Sequence, residues 1–141
     1  IDPPPRTRHI PQMPDPDLDH FHRIARQTLD DLPEAFARGA ADLVLQVVDW
    51  PDDRMLRELD IDDPLDLTGL YDGIPMTEKS TFDPAPFPDT VWLFREPILQ
   101  EWRDRGDVEL DALIAHVTIH EVAHHFGWSD DDIATIDQWW L

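Results

Sequence analysis

His120-Glu121-Val122-Ala123-His124 sets two imidazoles four residues apart, with a carboxylate beside the first. On an α-helix that spacing brings both rings to one face, one turn apart, where they can reach a single metal ion. Glu121 is offset by one residue, about 100° round the helix, so it can touch a water on that metal without ligating. Two neutral imidazoles and one carboxylate leave a fourth zinc position open, where a water has its pKa lowered from about 15.7 to about 7. Glu121 is then the candidate general base, taking the proton as the water attacks a peptide carbonyl and passing it to the leaving amine. The chemistry indicated is hydrolysis by a Zn2+-activated water.

The third ligand needs a reversal of the chain. Asp130 falls six residues beyond His124, and Gly127 between them can adopt the left-handed conformation such a turn requires. Ser129 also reads as the N-cap of a final helix, with Asp130, Asp131 and Asp132 in its first turn. Both readings can hold together; Asp131 and Asp132 are the substitutes if the register differs.

The elements that must carry these residues follow from periodicity. Leu110, Leu113 and Val117 continue into His120 and His124 in alternating steps of three and four, so an apolar stripe runs directly into the two candidate ligands. Asp107 as N-cap and Gly127 as C′ residue bound a helix near 108–126.

The segment from His120 to Asp130 resembles the His-Glu-x-x-His-x-x-Gly-x-x-His/Asp signature of the zincin metallopeptidases, with Asp in the third place. Leu32-Pro33-Glu34-Ala35-Phe36, Leu70-Tyr71-Asp72-Gly73-Ile74-Pro75, Pro88-Asp89-Thr90-Val91-Trp92-Leu93-Phe94 and Pro97-Ile98-Leu99 resemble, in order, the pattern of a family of small bacterial minimal zincin metallopeptidases. The similarity runs from about Asp17 to Ile136. It implies a zinc-dependent peptidase with His120, His124 and Asp130 as zinc ligands, Glu121 as catalytic base, and a peptide or protein as substrate. Larger metzincins have a methionine turn beneath the metal; no Met follows the motif here, which fits a minimal version. An alternative from another class is a non-catalytic zinc-binding protein-interaction module, in which the metal only fixes the C-terminal helices. A third is a degenerate domain that has the motif and binds no metal.

Composition narrows the partners. The chain has 31 acidic against 11 basic residues, a formal charge of −20, which repels phosphate backbones and anionic membrane surfaces. No nucleic acid and no membrane are expected as partners. The chain has no Cys, so any zinc sits on nitrogen and oxygen donors. No stretch approaches the ~20 apolar residues of a membrane span, and the N-terminus has no signal-peptide pattern, so a cytoplasmic location is the default. At 141 residues and 41% hydrophobic, one core is expected, with residues 1–16 as a Pro-rich mobile N-terminal tail and 17–141 as a single domain. Nothing in the sequence sets an oligomeric state.

Along that domain the pattern predicts an α+β fold. A helix is expected from about Asp19 to Arg38 with Phe21, Ile24, Leu29, Leu32 and Phe36 inward, and a buried strand over Asp42 to Asp49. The acid-rich stretch around Asp60, Asp62, Asp63 and Asp66 lacks the central Gly and terminal Glu of a calcium loop and reads as a surface loop. Strands are expected at Leu70–Pro75 and Thr90–Arg95, and helices at about Pro97–Arg105 and Asp130–Trp140. Zincins generally bind the substrate backbone as an added strand, and Thr90–Arg95 is either the candidate for that role or an ordinary core strand. His116, one turn before His120, is a fourth imidazole, a proton donor or a polar lead-in to the site. His125 is rotated off the ligand face toward a structural hydrogen bond, and Tyr71 supplies an oxyanion donor only if its loop folds over the zinc. His20 and His22 read as a solvated first turn. Trp139 and Trp140 close the core or form a partner patch.

Overall fold

Asp17 opens the first helix. In a computed structural model, which describes residues 16–73 and 89–127, α1 spans Leu18–Asp30. The Asp17 carboxylate accepts from the His20 N–H at 2.9 Å, satisfying one of the donors that every helix start leaves unpaired. Phe21, Ala25 and Leu29 recur every four residues and are buried, so one face of α1 enters the core. The expected single helix from Asp19 to Arg38 is corrected: α1 stops at Asp30, and a separate helix α2 runs Glu34–Gly39. Pro33 is the reason. It has no N–H to donate and disfavours a helical conformation in the residue before it, and it stands with ψ 145° at the start of α2.

The sheet has three strands, β1 (Val44–Val48), β2 (Gly69–Asp72) and β3 (Thr90–Phe94), in the order β1-β3-β2. β1 pairs parallel with β3, Val44 opposite Thr90 through Val48 opposite Phe94. β2 pairs antiparallel with β3, Gly69 opposite Leu93 and Asp72 opposite Thr90. Each strand is slightly shorter than its apolar run suggested, and Ile74 and Pro75 lie outside the described residues. Of the two readings of Thr90–Arg95, the central place of β3 selects the core strand and excludes the substrate-binding edge: both of its sides are hydrogen-bonded, and Val91, Leu93 and Phe94 have no exposed surface. Between β1 and β2 lie α3 (Asp53–Glu58), capped by Asp52, and a 3-10 turn at Pro64–Asp66 within the acid-rich stretch.

β3 passes without a loop into α4 (Arg95–Arg105), two residues earlier than the sequence indicated. Pro97 is tolerated because it occupies the first turn, whose N–H groups have no partner inside the helix. The Arg95 guanidinium fastens this junction to the Pro16 carbonyl at 2.7 Å and to Asp49 at 3.1 Å. After Gly106, α5 runs Leu110–His125. Glu109, and not the expected Asp107, is its N-cap; the Trp102 indole donates to the Val108 carbonyl at 3.1 Å and holds that residue outside the helix.

The result is an α+β domain, with five helices and one three-stranded sheet among the described residues. Its main core joins Phe21, Ala25 and Leu29 of α1 to Val91 and Leu93 of β3 and to Leu110, Leu113, Ile114, Val117 and Val122 of α5. A smaller cluster of Met55, Leu67 and Phe94, with Val48, Leu70 and Trp92 packed against it, lies on the other face of the sheet. Among the described residues no helix is long and apolar enough to cross a membrane. The proline-rich start, through residue 15, and the last helix expected near residues 130–140 lie outside the described residues.

Candidate metal centre

α5 positions the site because its sequence is apolar on most sides and changes chemistry only near its end. Leu110, Leu113 and Val117 are buried, and the same stripe continues into His120 and His124, both half-buried. The two rings stand 5.3 Å apart between centroids, at 76° to one another. Gly127, the expected C′ residue, has φ +78°, and its N–H donates to the His124 carbonyl at 2.9 Å. The chain therefore does turn left-handed where the spacing required. Asp130, Asp131 and Asp132 lie outside the described residues. Among the described residues no group of three His, Asp or Glu side chains is gathered to hold an ion, so the described part of the centre is the imidazole pair.

Glu121 leaves α5 on the side of β2. A Cβ at Gly69 would lie 2.9 Å from Val117 Cγ1, 3.0 Å from Glu121 Cγ and 3.2 Å from the Trp92 carbonyl oxygen. Only glycine lets the strand come this close to the helix, and sequence reading missed it. The available signal was a glycine at the first position of an apolar strand, which marks a close approach of backbone. Between these elements lies a cleft of about 350 Å³, lined on one side by His116, Val117, His120 and Glu121 and opposite by Asp66–Gly69, Glu101 and Arg105. His116 is thus a wall of the cleft. Arg105 is occupied by Glu101 at 2.8 Å.

This arrangement fits the sequence comparison: the pattern of the zincin-like metallopeptidase family matches residues 40–140. The chain belongs to that family. No curated protein matches the chain.

The family match includes every element that lines the cleft and leaves α1 outside it. The zincin-like domain uses α1 as support for the back of α5. His20, expected in a solvated turn, instead bridges to Asp111 at the start of α5, with 2.6 Å between Nε2 and Oδ1. His22 is exposed, as expected.

Two residues near the centre face away from the cleft. His125 is 5% exposed, and its Nε2–H donates to the Gly39 carbonyl at 2.9 Å, the structural hydrogen bond that its rotation from the ligand face implied. Tyr71 does not serve as an oxyanion donor over the metal face. Its hydroxyl lies 3.2 Å from His125 Nδ1 and donates to Asp89. Burial, followed by the charge of Asp89 and the hydrogen bond to it, pushes the Tyr71 hydroxyl well above the ordinary tyrosine range. It therefore remains a neutral donor at physiological pH.

Proposed function

We propose that this domain is a zinc-dependent peptidase in which His120, His124 and Asp130 hold the metal and Glu121 is the general base. The observation that carries the reading is the pair of half-buried imidazoles on α5 with Glu121 beside them on a cleft wall. The donor set suits zinc: two ring nitrogens and a carboxylate, in a chain without thiols. When bound, zinc supplies an acidified water and polarises the substrate carbonyl. Glu121 then receives the proton of the attacking water and delivers it to the leaving amine. β2 orients the substrate. Among the described residues it is hydrogen-bonded on one side, to β3, and it packs on α5 at Gly69, so an extended peptide added to it lies alongside the metal face.

The test is digestion of a mixed peptide library by the zinc-loaded protein, read by mass spectrometry, with a chelated sample beside it. Cleavage that chelation abolishes and zinc restores is the expected result; an unaltered library would sink the proposal. Circular dichroism of the chelated sample separates it from the interaction-module alternative. The Phe21, Ile114, Val91 and Leu93 core has no exposed surface and includes neither His120 nor His124, so the fold should persist. A fold that melts on chelation would make the zinc structural.

Gly69→Ala should lower kcat/KM about tenfold with secondary structure kept, because displacing Glu121 by a fraction of an ångström misaligns the base. Steady-state kinetics beside circular dichroism check this, and full activity would show that β2 does not position Glu121.

A further inference from the structure

We infer that Tyr71, Asp89 and His125 form a positioning network that holds the last turn of the metal-bearing helix and the rim strand β2 in fixed register. The inference rests on the reading of His124 as a zinc ligand.

His124 is the penultimate residue of α5, where carbonyls lose their intrahelical partners and a helix frays. A ligand there needs an anchor from outside the helix. His125 supplies one. One ring nitrogen donates to Gly39 at the end of α2, and the other lies 3.2 Å from both Tyr71 Oη of β2 and Asp89 Oδ2 before β3. The Tyr71 hydroxyl also donates to Asp89, closing a triangle of polar groups. Aromatic edges surround it: Tyr71 meets His125 with centroids 5.7 Å apart, His125 meets Phe126 at 5.3 Å, and Phe126 meets Phe36 of α2 at 5.3 Å. The Asp89 carboxylate is boxed in, since a Cβ on Gly73 would collide with it.

Asp89 and His125 are each 5% exposed. A buried polar group gains a fold little over apolar side chains of the same volume. What hydrogen bonds add is direction, and here the direction is shared. β2 meets α5 at two points, Gly69 against Val117 and Glu121, and Tyr71 against His125. The first sets the rim beside the general base; the second ties the same strand to the turn that bears His124.

The experiment uses the full chain with Tyr71→Phe, which keeps the ring, and Asp89→Asn, which keeps the shape. Zinc affinity is measured by competition with a chromophoric chelator, and the thermal midpoint of metal-free protein is recorded beside it. Thr118→Val is the control. Its hydroxyl donates to the Ile114 carbonyl at 2.8 Å inside α5, fully buried and outside the network. Both network variants should bind zinc at least about tenfold more weakly, the scale at which outer partners of a metal site act. Thr118→Val should change the midpoint and leave zinc affinity at the wild-type value. Wild-type affinity in Tyr71→Phe and Asp89→Asn, or equal weakening in Thr118→Val, overturns the positioning role alone. A wild-type protein that takes up no zinc overturns the metal reading and this role together, so the two failures are distinct.

Discussion

Glu121→Gln should reduce peptide hydrolysis by about 10²–10⁴-fold, the usual contribution of a general base, while zinc content stays at the wild-type level. The amide keeps the size of the carboxylate, so the contact with Gly69 survives and the strand does not shift. What disappears is a group able to accept a proton. Because Glu121 is displaced from the imidazole pair by one helical step, it is not required for holding metal, and loss of activity without loss of zinc is the signature that separates base from ligand. Single-turnover kinetics together with metal analysis decide the point. Undiminished hydrolysis would falsify the assignment of the base.

His124→Ala should take the protein from about one zinc per chain to almost none. A catalytic zinc site has three protein ligands, and its affinity does not survive the loss of one imidazole on the rigid element of the set. His125, the next residue, cannot replace it, since its ring points into the interior and both nitrogens are engaged. The variant should still fold, because α5 is held by Leu113, Ile114, Val117 and Val122 in the core, none of which contacts solvent appreciably. Metal analysis and circular dichroism on wild type and variant check both halves. Zinc retained in His124→Ala would place the metal elsewhere in the chain.

The local features of the site were legible in the sequence, and the long-range ones were not. The stripe Leu110, Leu113, Val117, His120, His124 foretold both the helix and the pairing of the two imidazoles on one face, since 3.6-residue periodicity is a property of the segment alone. Gly127 foretold the left-handed turn for the same reason. Pro33 could have divided the first helix, but the apolar spacing from Phe21 to Phe36 runs across the break and concealed it. The placing of β3 at the sheet centre depends on which strands come to flank it, and nothing within Thr90–Phe94 records that order. The network at His125 is still less visible. Its partners are 54 and 86 residues away in the chain, and no pattern within a segment relates Tyr71 or Gly39 to the end of α5. Asp130 stays a proposal, its position lying beyond the described residues.

The cleft also has two walls of unequal freedom to evolve. Nine of the sixteen residues of α5 are buried, so a change among them, Val117 of the cleft wall included, is also a change in the core and carries a stability cost of about 2–5 kcal/mol for a large apolar side chain. The facing wall is different: Asp66 is exposed, and Arg105 and Glu101 retain 48% and 34% of their side-chain surface. Substitutions there alter the size and charge of the cleft while leaving the helix that carries the chemistry untouched. The size and charge of the cleft are therefore most readily altered at Asp66, Glu101 and Arg105, with buried Leu67 and the buried face of α5 left in place.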